Sequence, residues 1–553
     1  MESEKILRIH PKDNVLIALA DLKKGVTISF GSEEYQLQND IQAKHKFATE
    51  NLHKNDKVYM YGVLVGKAKK EIQCGELLST ANLIHDTQTY DVSDSRRQLD
   101  WKAPDTSVFT NRTFMGYHRE DGKVGTENHW LVIPLVFCQN RNVKILKKTL
   151  EEKLGFSKNQ QEAYNVDSLI KEYISGATPE TILQKNILSE SNNKSINPLF
   201  PNIDGIRFLT HEGGCGADTA DSITLCNLLA GYINNANVAG ATILSLGCQD
   251  AQASILLNAL SEISPNIKKP VYVLEQQRSK SEKELISEAI KKTFVGLMET
   301  NKVKRKPASL DKLVIGLECG GSDGFSGISA NPTLGYVSDL IVGLGGSAIL
   351  SEFPELNGVE QELINRCVNP EKAQKFSNIM SAYNAKAEIL GSGFSENPSV
   401  GNIKDGLITD AMKSAGAAKK GGTSPIKDVL DYTEQVKASG LNLLCTPGND
   451  VESTTGLAGS GANIILFSTG LGTPTGNPIA PVIKVSTNSK LFNLMNDIID
   501  FNTGDIIEGA SNIKGKGEGL LDFIIKVASG EIETKARKLE QDDFIPWKRG
   551  ISL

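Results

Sequence analysis

The sequence predicts an α/β protein, with a parallel-sheet region preceded by a small, mainly β domain. Three observations predict it. From about residue 115 onward, apolar runs of strand length recur, with helix-like stretches between several of them. Residues 1 to about 90 instead carry short β-prone runs punctuated by glycines. A chain of 553 residues is also too long for one ordinary core, so two or three domains are expected.

In the first region the β-prone runs include residues 15–19 and 58–63, set between Gly25, Gly31, Gly66 and Gly75. Residues 91–114 are polar and aperiodic, contain a proline and read as a linker. The region 115–553 then holds nine apolar runs: Trp130–Phe137, Ile206–Thr210, Ala241–Leu246, Val271–Leu274, Leu313–Leu317, Ala348–Leu350, Leu441–Leu444, Ile464–Phe467 and Val482–Val485. Lys144–Leu154 and Lys280–Lys292 have helical spacing. Residues 155–200 are polar with weak helical patterning and read as an insertion, and the region is long enough for two subdomains. There is no internal repeat.

A net charge of −6 argues against a general nucleic-acid or membrane-surface binder. An anionic ligand would need local lysines, arginines or helix N-termini. The first five residues are charged and no apolar h-region follows, so a cytoplasmic protein without a signal peptide is expected. No apolar run approaches the roughly 18 residues of a membrane span. Eight cysteines with no Cys-x-x-Cys pair read as free thiols.

In an open α/β sheet, ligands bind beyond the carboxyl ends of the strands. The residues just after the apolar runs are therefore the informative ones. They include Cys138, His211 and Cys215, Cys248, Glu275, Glu318 with Cys319 and Asp323, and the segment 445–450. Imidazole, thiolate and carboxylate together suit iron, manganese or zinc better than magnesium. His211, between a strand end and two glycines, is the strongest single candidate. Two glycine-rich segments, 419–424 and 470–476, have the character of anion cradles, with Lys420 as a charge partner. Neither completes a nucleotide fingerprint, so no nucleotide cofactor is expected.

Several longer motifs resemble those of the altronate and galactarate dehydratase family, over nearly the whole chain. They are 116–128 (GYHREDGKVGTEN), THEGGCG (210–216), LGCQ (246–249), LECGGSDGFSG (317–327), NPSVGNI (397–403), KKGGTSPI (419–426), TPGND (446–450) and the segment 469–488. The family usually carries arginine where this chain has Glu127. Residues 1 to about 90 are similar to the family's SAF, or β-clip, module. Ala43-Lys44-His45-Lys46 stands where the family has Gly-His-Lys, and of a stretch often rich in histidine only Asn82 remains here.

The resemblance implies a Rossmann-like parallel sheet, a homodimer and an iron-dependent enolisation that dehydrates a sugar acid. D-altronate would lose water to give 2-keto-3-deoxy-D-gluconate, a step of hexuronate catabolism. Metal candidates are His211, Cys215, Cys248, Glu318, Cys319, Asp323 and Cys138. The metal would be Fe²⁺ or Mn²⁺, or an iron–sulfur cluster on the four cysteines among them. Catalytic candidates are His211, His45 and Lys46; substrate-binding candidates are Asn82, Lys420, Thr423, Ser424, Asn477 and Lys484. Galactarate dehydratase and sulfolactate sulfo-lyase activities are the alternatives within the class. A non-catalytic sugar-acid binding protein and a nucleotide-dependent oxidoreductase are the alternatives outside it.

Overall fold

The computed structural model describes residues 5–93, 100–157, 164–188 and 197–552. The N-terminal module is built from short antiparallel strands. One sheet joins Ile6–Leu7, Val15–Ala18 and Lys46–Ala48; another joins Lys57–Met60, Val63–Ala68 and Leu83–Ile84. The hairpin between the 57–60 and 63–68 strands turns through Tyr61 and Gly62, both with positive φ (58° and 79°), as a two-residue turn requires. The Tyr61 hydroxyl reaches the backbone of Gly327, where a Cβ would lie 2.2 Å from it.

The module does not fold around a core of its own alone. Val15, Ile17, Val58, Met60 and Val65 belong to one buried cluster with Leu317, Leu350 and Met412 of the large α/β region. Nor is the expected linker free. Trp101 donates to Thr423 Oγ1 at 3.1 Å and Phe109 is buried in the same cluster, so residues 100–112 are strapped to the C-terminal region. Residues 94–99 lie outside the described residues.

The remainder forms two parallel sheets. Their strands are numbered here in chain order: β1 (His129–Pro134), β2 (Gly205–Phe208), β3 (Val238–Ser245), β4 (Val271–Glu275), β5 (Val314–Cys319), β6 (Ser347–Leu350), β7 (Ile426–Leu430), β8 (Gly440–Leu444), β9 (Ile464–Thr469), β10 (Val482–Ser486) and β11 (Phe501–Asn502). The small sheet has the order β2-β1-β3-β4, the large sheet β7-β8-β6-β5-β9-β10-β11, and all these pairs are parallel. β1, β3, β8, β9 and β10 are buried along their whole length, which is why they read as unbroken apolar runs.

All nine apolar runs become strands. The first ends at Pro134 rather than Phe137, because the chain turns there into a short 3₁₀ segment, Phe137–Gln139. β7 escapes the pattern because Lys427 and Asp428 interrupt it. In the insertion, the described residues 164–188 form two short helices with no buried residue, closed by a bridge between Tyr164 and Leu188. Residues 158–163 and 189–196 lie outside the described residues.

The two sheets meet at their amino ends, where Asn237 Nδ2 donates to Asn463 O (2.9 Å) and Ile479 O (2.8 Å). Their carboxyl rims are bridged by the C-terminal tail. Ser552 pairs with Ala217 and Gly550 N donates to Asp221 on the small-sheet side. Arg549 binds Asp431 at 3.0 Å, and Trp547 N donates to the Tyr432 hydroxyl on the large-sheet side. Both rims therefore open on one side of the molecule.

Candidate active site

The large sheet reverses its strand order between β5 and β9, and a ligand crevice is expected there. β5 ends in Glu318-Cys319, β6 runs into Ser351-Glu352 and then Glu355, and β8 leads to Thr446 and Asp450. These side chains form one buried cluster. Ser351 and Ser453 hydroxyls donate to Glu318 Oε2 at 2.8 and 2.6 Å. Lys420 Nζ donates to Glu352 Oε2 at 2.6 Å and to Cys319 Sγ at 2.8 Å. Lys413 Nζ lies 2.6 Å from Glu355 Oε1, and the Cys319 thiol donates to Glu355 Oε2 at 3.1 Å. Glu352 adopts the left-handed conformation (φ 65°), a backbone cost of about 1–3 kcal/mol typical of residues held for function. Its N–H donates to Thr446 Oγ1 at 2.8 Å.

Burial and the neighbouring Glu352 drive the Glu318 carboxyl well above the usual range, so it keeps its proton. Burial opposes the charge of Glu355, but Lys413 and Lys420 hold it below the usual range. Lys420 stays firmly charged: burial works against it, and Cys319 and Glu352 outweigh burial. Asp450, half-buried at the edge of the cluster, is pushed up to about 7 by burial and by Glu352 and Glu355.

This cluster could be read as a metal site. Oxygens of Glu318, Glu352 and Asp450 lie within 4.8 Å of one another, as do donor atoms of Cys319, Glu352 and Glu355. The charges argue otherwise. Two lysines already sit against two carboxylates, so a metal would have to expel Lys420 from between Cys319 and Glu352. Oε1 of Glu318 and Oε1 of Glu352 have no partner of their own among the described residues. A proton held between the two carboxyls accounts for both. The residues fit proton storage better than a resident metal ion.

The N-terminal module completes this rim. Lys44 (φ 77°) bonds Asp323 at 3.0 Å and Asp405 at 2.7 Å. His45 Nε2 donates to Lys404 O at 3.1 Å, and Lys46 Nζ, fully buried, donates to Gly406 O at 2.6 Å. The half-buried imidazole of His45 is held below its ordinary value by desolvation, and Nδ1 makes no hydrogen bond among the described residues. The loop 320–324 lies between module and cluster: a Cβ on Gly324 would meet Lys44 O at 2.5 Å, and one on Gly320 would meet Asp450 Oδ2 at 2.1 Å.

Three segments match family models: 4–86 the Altronate/galactarate dehydratase SAF domain, 116–301 the D-galactarate dehydratase/Altronate hydrolase second domain, and 310–552 the D-galactarate/Altronate dehydratase C-terminal domain. Altronate dehydratase of Bacillus subtilis is 32% identical over 552 residues, 100% of each chain. The chain belongs to the altronate/galactarate dehydratase family. Altronate dehydratase of Escherichia coli is 31% identical over 99% of each chain, and galactarate dehydratase (L-threo-forming) of the same organism is 28% identical over 96% of this chain and 93% of its own.

The structure of this dehydratase-family chain divides the expected site residues into three groups. Glu318, Cys319 and Lys420 come together in the acid–lysine cluster, and His45, Lys46 and Asp323 lie at the module contact. Cys138, Cys215 and Cys248 are exposed and sit on the small-sheet rim, apart from Glu318 and Cys319, so the seven-residue metal set does not form. His211 lies outside these groups. It is buried, its Nε2 donates to Pro134 O at 2.7 Å and its Nδ1 accepts from Gly213 N at 3.1 Å, which uses both ring nitrogens. Lys44, Ser326 and Thr487 bond the oxygens of Asp323.

Five expected substrate contacts make hydrogen bonds within the fold. Asn82 caps its own loop through Ser79 N and Leu77 O. Asn477 spends both ends of its amide on Tyr232, Thr454, Ile479 and Ala480. Thr423 and Ser424 wrap their N–H groups around the Asp339 carboxylate. Lys484 is buried on β10 against Gln541 at 3.0 Å. The expectation missed Glu352, Glu355 and Lys413, while Asp450 and Lys44 lay in segments it singled out, 445–450 and 43–46, without being given a role. Glu352 follows the Ala348–Leu350 run, so reading past that strand end would have found it.

No helix of the described residues is long and apolar enough to cross a membrane.

Proposed function

We propose that this chain is a hydro-lyase that converts D-altronate to 2-keto-3-deoxy-D-gluconate. The observation that carries the mechanism is the half-buried carboxyl of Asp450 after a strand end, its oxygen within 4.8 Å of those of the buried Glu318 and Glu352 and raised to about 7 by burial and by Glu352 and Glu355. Dehydration of an aldonate needs a base for the C2 proton and an acid for the departing C3 hydroxyl. His45 Nδ1, free and neutral at pH 7, takes the C2 proton. Asp450, protonated below about pH 7, delivers a proton to the hydroxyl. Glu318 and Glu352 restore that proton from the interior. Lys413 and Lys420 keep the store in place by fixing the charges of Glu355 and Glu352.

Fe²⁺ is the metal in this reading, with Mn²⁺ as its substitute. When bound, it supplies Lewis-acid charge for the carboxylate as the enediolate develops. Among the described residues the thiol-bearing rim brings no three donor groups close enough for one ion, and the acid cluster balances its own charge, so none of the proton-transfer roles above is routed through the metal. The reading takes the enzyme to be a cytoplasmic homodimer without nucleotide, nucleic-acid or membrane partners. Eight free cysteines support a reducing compartment. The exposed apolar side chains of Tyr173 and Ile174 support contact with a second copy.

The test is an anaerobic assay with D-altronate, with and without Fe²⁺, that reads 2-keto-3-deoxygluconate. Turnover abolished by chelator and by Asp450→Asn supports the reading. Turnover of galactarate alone would keep the mechanism and replace the substrate. Silence with both, in iron-loaded protein, would sink the assignment.

A further inference from the structure

Cys319 is a buried nucleophile inside the acid–lysine cluster, and the proton transfers proposed above do not use it. It ends β5, and its sulfur lies between two charged groups. The thiol donates to Glu355 Oε2 at 3.1 Å, and Lys420 Nζ donates to Sγ at 2.8 Å. The second contact is short. Sulfur is larger than oxygen, so a hydrogen bond to it is normally the longer one, yet this one nearly equals the 2.6 Å bond from the same nitrogen to Glu352 Oε2. Other thiols are held differently: Cys226, Cys367 and Cys74 donate to the backbone oxygens of Gln252, Leu363 and Thr49 at 3.9, 3.4 and 3.2 Å.

The backbone fixes the pair. Lys420 sits in the 3₁₀ segment Ala418–Gly421, which packs so tightly on the helix Ala330–Gly343 that a Cβ on Gly335 would lie 2.1 Å from Lys419 O. The turn that follows is tied down by Asp339, whose carboxylate accepts from Thr423 N and Ser424 N at 2.9 Å. Lys420 is 1% exposed and Cys319 2%. Two groups held in contact with so little freedom react as though one were present at very high concentration. Hydrogen peroxide is close to water in size, and the half-buried Asp450, beside Glu318 and Glu352, is where the cluster meets solvent.

We propose that Cys319 and Lys420 form a sulfur–nitrogen cross-link when the protein meets hydrogen peroxide. Burial and Glu355 push the thiol up, so at rest the sulfur keeps its proton. Burial opposes the charge of Glu355, but Lys413 and Lys420 keep it ionised, and it accepts that proton as the sulfur attacks peroxide. The O–O bond breaks, an S–O bond forms, and the proton leaves with the departing hydroxide as water. The thiol is now a sulfenic acid, oxidised by two electrons. Lys420 passes one proton to Glu352, and its amine displaces the hydroxyl from sulfur. An S–N bond forms, the S–O bond breaks, and a second water leaves. One peroxide and two hydrogens of the chain thus become two waters. The charge of Lys420 and that of Glu352 vanish together, so the interior stays balanced. The bond is independent of the reaction catalysed. Only its effect on turnover rests on the hydro-lyase reading, because it removes the charge that holds Glu352 in the proton store.

The experiment treats the full chain with hydrogen peroxide, blocks the remaining thiols with iodoacetamide in denaturant, and maps peptides cut by a protease that does not cleave at lysine. One linked pair is expected, carrying Cys319 and Lys420 and lighter by two hydrogens than the two peptides together. Dithiothreitol should release it and leave Cys319 open to alkylation. Cys319→Ser should abolish the pair, while Cys226→Ser and Cys367→Ser retain it. The wild-type map with and without dithiothreitol decides the matter should Cys319→Ser not fold. Cys319 still fully alkylated once peroxide has oxidised the exposed Cys138, Cys215 and Cys248 would overturn the cross-link. So would Cys319 recovered only as sulfinic acid, or joined to a residue other than Lys420. Linked protein that still turns over D-altronate would leave the cross-link standing and overturn the proton-store role of Lys420. Turnover in protein that never links would overturn the cross-link and spare the functional reading.

Discussion

Replacing Lys46 with methionine tests how the N-terminal module is held to the large sheet. Lys46 is fully buried, and Gly406 O, at 2.6 Å, accepts its hydrogen bond. Burial lowers its amine from 10.5 to about 7, with Asp323 and Lys44 acting in opposite senses. That depression is worth about 4 to 5 kcal/mol of lost stability at neutral pH, at about 1.4 kcal/mol per pH unit. The penalty is constant below about pH 7, where both states hold the proton. Between pH 7 and 10.5 the unfolded chain still holds a proton that the folded chain has released, so wild-type stability rises with pH. Lys46→Met removes this term. It also leaves Gly406 O unpaired, at a pH-independent cost of about 1–3 kcal/mol. The advantage of the variant over wild type in unfolding free energy should therefore shrink by about 2 to 3 kcal/mol between pH 7 and pH 9. Urea unfolding followed by tryptophan fluorescence at pH 7, 8 and 9 measures it. Curves for the two proteins that keep a constant separation would refute a neutralised buried lysine at this contact.

Three further substitutions separate the parts of the acid–lysine cluster. Asp450→Asn should lower turnover by about 10²–10⁴, as loss of a general acid does. The wild-type rate should fall as pH rises through about 7, where Asp450 loses its proton, and the residual rate of the variant should lack that fall. Lys420→Met should cost about 3–5 kcal/mol by stranding Glu352 and Cys319 in the interior, and adding Glu352→Gln should recover part of it in a denaturant titration. Glu318→Gln should change stability by less than about 1 kcal/mol, because Glu318 is already neutral and glutamine keeps its shape; a loss as large as that of Lys420→Met would mean that Glu318 is charged.

The sheet was legible because its strands are buried on both faces and so leave unbroken apolar runs. β7 was not, since Lys427 and Asp428 break its run. The rule that ligands bind beyond strand ends put Glu318, Cys319 and the three exposed cysteines at sheet rims, and that is where they stand. It could not say which rim residues meet, because that depends on two sheets and a module brought together by contacts distant in sequence. His211 shows the limit: a histidine after a strand and before glycines looks like a ligand, yet both its nitrogens are spent on Pro134 and Gly213 in holding the loop. Asn477, Thr423 and Ser424 fall to the same cause. Polar residues in a glycine-rich turn are as useful for closing the turn as for binding, and here they close it. Lys420 could be named from its motif, but its partners Glu352 and Glu355 arrive from another strand.

The docking of the module bears on whether it acts in catalysis or as a separate sensor. A sensor needs a hinge between the ligand-reading part and the rest. Here the module shares one hydrophobic cluster with β5, β6 and the helix that carries Lys413. Thr409 at the start of that helix donates to Val65 O at 2.7 Å, and Tyr61 fits against Gly327 and Gly416. Lys44, His45 and Lys46 each bond the segment 404–406. Separating the two parts would expose that cluster and break all of these contacts at once. His45 is thus a fixed member of the large-sheet rim. The 320–324 loop joins it to the acid cluster: at one end a Cβ on Gly324 would meet Lys44 O at 2.5 Å, and at the other a Cβ on Gly320 would meet Asp450 Oδ2 at 2.1 Å, so module and cluster flank one rigid loop.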